Sequence, residues 1–147
     1  MKTITRLLVV FTTLLASATL VSCKETIITA DQLPSAAQAF LKEYFPDAAV
    51  SYAKKDRELS GTTYEVVLQD RTKIDFNAKG EWDTVKCKAA AVPSSLVPAP
   101  IAEYVRSQFP GQIIVKIDRE PYGHEIELGS DLELKFDKKG KLMTIDD

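Results

Sequence analysis

Residues 72–82 have the sequence TKIDFNAKGEW, and residues 132–142 repeat its pattern as LELKFDKKGKL. In both stretches apolar and charged residues alternate, and this period of two is typical of a β-strand. The central Asn or Asp can open a type I turn by accepting backbone hydrogen bonds, and the Gly that follows can close the turn with a positive φ. Each stretch therefore predicts a β-hairpin, which in the first copy sets Phe76 opposite Trp82 on an apolar face.

The repetition extends to a helix upstream of each hairpin. Leu33-Pro34 and Phe45-Pro46 bound a stretch with apolar residues at helical spacing, and Val97-Pro98 and Phe109-Pro110 bound its counterpart. The offset between the copies falls from 64 residues at the helix to 60 at the hairpin. Since turns tolerate changes of length, we expect the missing residues to correspond to a charged turn at 55–61.

These elements predict an α+β fold of tandem duplicated α-β-β-β-β units. One unit alone is marginal in size for independent folding. We therefore expect the two units to form an antiparallel sheet of about eight strands, with both helices on one face and the opposite face open to solvent. The predicted segments are a signal peptide at 1–22, a tether at 23–28, a first repeat at 29–88 and a second repeat at 89–147, the repeats forming one compact domain.

The N-terminal segment has the features of a bacterial lipoprotein signal. Basic residues precede the apolar run 7–18, and Leu20-Val21-Ser22-Cys23 matches a lipobox. We expect cleavage before Cys23 and acylation of that residue, and the alternative is an ordinary signal peptide or an uncleaved anchor. The predicted location is the cell envelope of a Gram-negative bacterium, facing the periplasm or the exterior. The outer membrane is favoured because Lys24, and not Asp, follows the cysteine.

Composition and cysteine count narrow the class of protein. Apolar residues make up 45% and charged residues 27% of the chain, which fits a globular protein. The net charge of −2 gives no basic footprint for nucleic acid. If Cys23 is acylated, Cys87 is the one remaining thiol; if it is not, a Cys23–Cys87 disulfide can form in an oxidising envelope.

The sequence presents no recognisable catalytic or metal-ligating set. His124, the single histidine, could act as a metal ligand or base with Glu125 or Glu127, but neighbouring strand residues point to opposite faces. We therefore favour a half-buried structural histidine. Cys87 has no neighbouring base in the sequence, and we expect it to pack at a strand end. The prediction is a protein that is no enzyme, with no cofactor and no metal site.

The open face of the sheet is the candidate binding site, and its charge is tilted towards acid in the second copy. Mixed charges can simply keep a half-exposed sheet soluble and prevent edge association. They can also form a recognition surface for a basic partner. The residues that strand alternation assigns to this face are Glu65, Val67, Lys73, Asp75, Glu125, Glu127, Glu133 and Lys135.

With its proline-bounded helices and its Phe-Asn/Asp-x-x-Gly-x-Trp/Leu hairpins, the chain from about Thr29 to Asp147 resembles the β-lactamase-inhibitor-like, PepSY-like family. The resemblance implies a small secreted or lipid-anchored envelope protein, mostly of unassigned function, with a tandem helix-plus-sheet fold. In the inhibitor, the open sheet and a hairpin grip the enzyme, and an acidic side chain enters its active site. By position, Asp70 and Asp131 occupy the equivalent turns, although turns often carry Asp for backbone reasons. Because few aromatic residues are expected on the open face, we do not expect β-lactamase inhibition itself.

We therefore expect a non-catalytic envelope lipoprotein that binds an unidentified envelope protein or peptide through the open sheet, with restraint of an enzyme as one form of that role. The alternative is a small-ligand or cation-binding envelope protein that uses a groove between helices and sheet or the acid-rich strands. Contact with the membrane is expected through the lipid anchor alone.

Overall fold

The computed structural model describes residues 24–147, so the predicted signal peptide and Cys23 lie outside the described residues. Within that range two ten-residue helices accompany a single sheet, and two short 3-10 turns, at Ala30–Gln32 and Ser94–Leu96, precede the helices. The elements in chain order are β1 (Lys24–Ile28), α1 (Ser35–Tyr44), β2 (Val50–Glu58), β3 (Gly61–Leu68), β4 (Lys73–Phe76), β5 (Trp82–Lys86), α2 (Ala99–Gln108), β6 (Ile114–Glu120), β7 (Gly123–Leu128), β8 (Glu133–Asp137) and β9 (Leu142–Asp146).

The strands form one nine-stranded sheet in which each strand pairs with its neighbours in sequence, and every pair is antiparallel. The two repeats join through β5 and β6, where Val85 lies opposite Ile117. This confirms the predicted α+β class, the antiparallel sheet and the tandem duplication. The prediction of about eight strands misses one strand, β1.

The segment predicted as a tether is that missing strand. Lys24–Ile28 pairs along its whole length with β2, from Lys24 opposite Arg57 to Ile28 opposite Ala53. Its short KETII sequence carries no turn residues, and a strand needs only a neighbouring edge with free backbone groups to pair. β2 supplies that edge because it continues to Glu58.

The difference in length between the copies is divided between two strands. The hairpin of β2 and β3 ends with Glu58 opposite Gly61, and that of β6 and β7 ends with Glu120 opposite Gly123. β2 has 9 residues against 7 in β6, and β3 has 8 against 6 in β7. The predicted turn at 55–61 is therefore wrong, since most of it is strand. Because both strands lose the same number of residues at the tip of the hairpin, the register and the faces of the remaining pairs are unchanged.

Both predicted hairpin turns are confirmed. Phe76 lies opposite Trp82, and Phe136 lies opposite Leu142. In the first copy the Asn77 side-chain oxygen accepts hydrogen bonds from two backbone N–H groups of the turn, at 2.9 and 3.1 Å, and Asp137 does the same in the second copy. These bonds hold the Asn or Asp in the position that opens the turn.

Both helices cover the same face of the sheet and bury one aromatic residue on each hairpin. Phe40 of α1 meets Phe76 edge to face, with ring centroids 5.5 Å apart, and Tyr104 of α2 meets Phe136 in the same geometry at 5.5 Å. The core beneath the helices runs through both repeats and includes the fully buried Ile74. In residues 24–147, no helix has the length and apolar character needed to cross a bilayer.

Candidate functional site

The face of the sheet opposite the helices, here called the open face, carries two rows of side chains that run across the strands. One row, the acidic row, has carboxylates on β3, β4, β6 and β7, with a lysine near each end. Strand register places its members side by side in the order Lys54, Glu65, Asp75, Thr84, Asp118, Glu125 and Lys135.

The second row, here called the divided row, separates its charges into blocks. Lysines occupy three adjacent strands, β4 to β6, and carboxylates occupy the next three, β7 to β9. Like charges directly opposite one another on neighbouring strands are destabilising, so such blocks need compensation from other charges. The row reads Tyr52, Val67, Lys73, Lys86, Lys116, Glu127, Glu133 and Asp146.

Two lysines of the divided row are compensated by the acidic row. The Lys73 ammonium lies 2.7 Å from Glu65 and 3.5 Å from Asp75. The Lys116 ammonium lies 2.6 Å from Asp118. The middle of the open face is therefore a lattice in which lysines and carboxylates neutralise each other.

The carboxylates of the divided row, here called the acid block, are less well compensated. Glu127 pairs with Lys86 at 2.9 Å, and Asp146 pairs with Lys135 at 2.9 Å. Glu133, between them, forms no ion pair with another described residue. The copy-two end of the open face thus keeps an excess of negative charge, as the sequence predicted.

Proton affinities on the open face follow burial and partners. Burial opposes ionisation of Glu65, but hydrogen bonds from Lys73 and Tyr52 outweigh it and hold the pKa of that carboxyl below its ordinary value. Burial raises the pKa of Asp75, and the nearby Lys73 only partly offsets it. The hydrogen bond that Tyr52 donates to Glu65, at 3.0 Å, raises the pKa of the phenol. At neutral pH Glu65 is therefore ionised and the Tyr52 phenol is protonated.

At the junction of the repeats a buried polar contact joins β5 to β6 on the open face. The Thr84 hydroxyl donates a hydrogen bond to Asp118 at 2.7 Å, and Asp118 is only 7% exposed. Because Asp118 also pairs with Lys116, its charge is compensated. The copy-one end is different, since Ile27 is 71% exposed and Tyr52 is 41% exposed there.

All eight residues that alternation assigned to the open face lie on it, four from each copy, in the two rows described above. The two turn residues lie elsewhere, in the connections at one end of the sheet. Asp70 accepts a hydrogen bond from the Thr72 N–H at 2.8 Å, and Asp131 has a positive φ of 67°. Asp131 corresponds in its turn to Arg71, whose φ is 70°, so the two Asp residues occupy different turn positions.

Sequence reasoning missed the open-face residues of β5 and β6, which include Lys86, Lys116 and Asp118. Their signal was present, because alternate residues of any strand that covers a core must face away from it. The two-row arrangement could not be found in this way, because it depends on register between strands that are far apart in sequence.

His124 and Cys87 lie on the helix side of the sheet. His124 is half-buried opposite Arg119 and Phe136, and burial together with Arg119 lowers its pKa, so the ring is neutral at pH 7. Glu125 faces the other side of the sheet, as predicted. Cys87 is 4% exposed, and burial raises the pKa of its thiol, which disfavours the reactive thiolate.

A metal site or a groove would serve the predicted small-ligand alternative. Among residues 24–147 no group of three or more His, Cys, Asp or Glu side chains is arranged to hold a metal ion. An open groove of about 440 Å³ lies where the C-terminal end of α1 meets the turn between β3 and β4, lined by residues that include Phe45, Ala48 and Asp70. It is one of several open grooves on the described surface, and two others, each of about 260 Å³, lie beside α2 and α1.

Comparison with known proteins places this geometry in a family. The family model described as "Putative beta-lactamase-inhibitor-like, PepSY-like" matches residues 18–60 and 62–144. No curated protein gives a significant match. The chain therefore shares a family description that refers to an inhibitor-like fold and names no catalytic activity.

Several solved structures are similar over nearly their whole length, each covering 84% of this chain. A periplasmic protein from Bacteroides vulgatus shares 36% identity over 97% of its length, with a TM-score of 0.79. A "putative calcium-regulated periplasmic protein" from Bacteroides thetaiotaomicron shares 36% identity over 97% of its length, with a TM-score of 0.81. A second Bacteroides vulgatus periplasmic protein, of unknown function, shares 33% over 100%, also at 0.81. These neighbours fit an envelope location, and the chain belongs to the PepSY-like, β-lactamase-inhibitor-like family.

Proposed function

We propose that this protein is a non-catalytic binding module of the cell envelope, which holds a basic segment of a partner protein or peptide against its open face. The observation that carries the proposal is the division of charge along one row. A wet face that served solubility alone would gain most from alternating signs, because like charges directly opposite destabilise the sheet. The acid block instead places Glu127, Glu133 and Asp146 on three adjacent strands.

The dimensions of the face favour an extended partner. Neighbouring strands are about 4.8 Å apart, so the eight positions of the divided row span about 34 Å. An extended peptide of roughly ten residues covers that distance. Its basic residues would lie over the acid block, and an apolar residue at the far end would contact Tyr52 and Ile27, which are exposed there. Charge complementarity of this kind gives orientation and a fast association rate.

Lipid anchoring through Cys23 is part of the proposal. Because β1 begins at Lys24, an acylated Cys23 would join directly to an edge of the sheet, with no flexible spacer. The β1 edge would then lie close to the membrane, and the acid block lies six to eight strands away from that edge. A partner in the aqueous compartment could reach the block freely. Metabolic labelling with a palmitate analogue, lost in a Cys23→Ser variant, would test the anchor.

The binding proposal can be tested with a defined cationic probe. A fluorescent hexalysine peptide is titrated into the wild-type protein and into a variant with Glu127, Glu133 and Asp146 changed to Lys. The matched control changes Asp31, Glu43 and Glu103 to Lys, because these exposed acids lie on the helix side and alter the net charge equally. We expect salt-dependent binding that the open-face variant loses and the control variant keeps.

Equal loss in both variants would show a nonspecific effect of net charge and would overturn the proposal, as would equal binding in all three proteins. Folding of each variant is checked by circular dichroism before the titration. Capture from an envelope extract with the same three proteins would then identify partners, and only those lost with the open-face variant alone would count.

A cation-binding function is the second candidate, and two observations favour it. One similar solved protein carries the description calcium-regulated, and the acid block leaves Glu133 without an ion-pair partner among the described residues. The described side chains, however, form no metal-holding cluster. Isothermal titration with calcium distinguishes the candidates, because binding that is lost when Glu133 becomes Gln would favour this function, and a flat titration would exclude the acid block as its site.

A further inference from the structure

The outer edge of β9 corresponds to the edge of β5 that pairs with β6 at the junction of the repeats, but no described strand pairs with it. β9 corresponds residue by residue to β5, with Thr144 in the place of Thr84 and Ile145 in the place of Val85. β5 pairs on both sides, with β4 and β6, and Val85 is fully buried. Within residues 24–147, β9 pairs with β8 alone, and Ile145 is 44% exposed.

The junction of β5 with β6 shows what such an edge accepts. An aliphatic pair, Val85 opposite Ile117, closes the helix side, and both residues are fully buried. A polar pair, Thr84 opposite Asp118, closes the open face through a 2.7 Å hydrogen bond. The Cys87 N–H continues the same register by donating to the backbone oxygen of Val115 at 2.8 Å.

Backbone groups alternate in direction along a strand, so the N–H and C=O of Val85, two residues before Cys87, also face β6. By correspondence, the N–H and C=O of Ile145 face outward from β9. The edge therefore offers a donor and an acceptor with the same spacing that β6 uses at the internal junction. An antiparallel strand with an aliphatic residue at this point would satisfy both.

We propose that the occupant of this edge is β9 of a second copy, so that the protein forms a two-fold dimer with one continuous sheet. When Ile145 lies opposite Ile145 of the partner subunit, Thr144 lies opposite Asp146 of the partner subunit, and the reverse holds by symmetry. The dimer thus repeats the aliphatic pair and the Thr–Asp pair of the internal junction. Asp146 is already held by Lys135 at 2.9 Å, as Asp118 is held by Lys116 at 2.6 Å.

Direction and charge favour this partner over a head-to-tail contact. Nine consecutive antiparallel strands leave β1 and β9 running in the same direction, so a sheet that keeps all helices on one face could join β9 to β1 of another copy only as a parallel pair. Two β9 strands related by a two-fold axis pair antiparallel, like every other pair in the sheet. β1 exposes Ile27 on the open face, but Lys24 and Glu25 are charges of the kind that protect an edge strand.

Sedimentation velocity of the purified chain over a range of concentrations tests the dimer. We expect a dimer that Ile145→Lys abolishes, because that change sets two ammonium groups opposite each other. The matched control is Ile113→Lys, since Ile113 is 48% exposed and lies outside β9. A monomer at all concentrations, or equal loss of the dimer in both variants, would overturn the proposal.

Disulfide trapping tests the register without requiring the charged variant to fold. In a Cys23→Ser background, oxidation of Ile145→Cys should give a covalent dimer, because directly opposite Cα atoms in such a pair are about 5.5 Å apart, within disulfide range. A mixture of Thr144→Cys and Asp146→Cys chains should also cross-link, and Ile113→Cys should not. Failure of the Ile145→Cys chain to cross-link, or equal cross-linking of Ile113→Cys, would overturn the proposed register.

Discussion

The two repeats share a buried side and differ on the exposed side. Phe40 and Phe76 in the first repeat, and Tyr104 and Phe136 in the second, form aromatic pairs with the same 5.5 Å separation. On the open face the corresponding strands reverse their charges, since β4 has Lys before Asp and β8 has Glu before Lys. Packing against a helix permits few substitutions, whereas a solvated face permits many, so the open face is where the repeats can differ in binding.

The repeats also differ in how their last strands are covered. In the first repeat, Arg119 of β6 lies over the Trp82 ring, with the guanidinium carbon 3.9 Å from the ring centroid. In the second repeat, Leu142 replaces the tryptophan, and no described strand lies beyond β9. The last strand of the repeat is thus paired on both sides in the first copy and, among the described strands, on one side only in the second copy. The second repeat has this unpaired edge because of its position in the sheet, and not because its fold differs from that of the first.

The largest effect is expected when the central phenylalanine in the core of each repeat is replaced. Phe76→Ala and Phe136→Ala each remove a side chain with 0% exposure, so each should lower the free energy of unfolding by about 3–5 kcal/mol. Because the sheet is continuous through β5 and β6, each change should shift one cooperative transition. Urea denaturation followed by both fluorescence and circular dichroism measures this.

Two separate transitions, with one repeat unfolding first, would break the comparison, since the repeats would then be independent units. A loss below about 1 kcal/mol for either residue would show that its position is not a core position.

A smaller effect is expected where each hairpin turn meets the start of its helix. Gly80 has a φ of 82°, and a Cβ placed on it would lie 2.7 Å from Pro34 Cβ and 2.9 Å from the Ala37 nitrogen. Gly140 has a φ of 77°, and its Cβ would meet only the Pro100 side chain at such short range, at 2.7 Å. Gly80→Ala should therefore cost about 2–3 kcal/mol and Gly140→Ala somewhat less, as measured by urea denaturation.

Gly111→Ala measures the cost of backbone strain alone, because the added methyl group contacts no helix. Gly111 has a φ of 83° with nothing within 4 Å of the added Cβ, so this change should lower the free energy of unfolding by only about 1 kcal/mol. Equal losses at Gly80, Gly140 and Gly111 would show that the turns do not pack on the helices.

The sequence predicts the hairpins and helices because their signals are local. The Asn or Asp and the Gly of each turn, and the prolines that bound each helix, act within a few residues. The repetition of these signals establishes the duplication. The open-face residues of β3, β4, β7 and β8 follow from alternation alone, which explains why all eight lie where they were expected.

What the sequence does not predict depends on contacts between distant segments. β1 has too little pattern to be recognised and becomes a strand only because β2 is long enough to pair with it. The acid block requires β7, β8 and β9 to be aligned to the residue, and register is fixed by the whole sheet. The buried contact of Thr84 with Asp118 joins residues from different repeats and has no local signal.

The smallest effect concerns a pair of facing carboxylates on β3 and β4, at a position where the second repeat pairs a carboxylate with a lysine. Glu65 lies opposite Asp75 in β3 and β4, whereas the corresponding Glu125 faces Lys135 in the second repeat. Lys73 contacts both carboxylates of the first repeat. Burial disfavours both charges, but hydrogen bonds from Lys73 and Tyr52 lower the pKa of Glu65, while the pKa of Asp75 stays raised. The two groups should therefore affect stability in opposite directions.

The folded-state pKa of Glu65 is below 4.5, so its ionised form stabilises the protein above that pH, and the contribution is lost as the pH falls through the folded-state pKa. The folded-state pKa of Asp75 is above 3.8, so its ionised form costs stability at neutral pH, and the cost disappears as the pH falls below that value. At pH 7, Glu65→Gln should destabilise and Asp75→Asn should stabilise, each by about 1 kcal/mol or less. Denaturation measured from pH 7 to pH 3 should show both differences shrinking. If Asp75→Asn destabilised the protein at pH 7, its ion pair with Lys73 would outweigh its burial, and the facing carboxylates would be as well compensated as the Glu125–Lys135 pair of the second repeat.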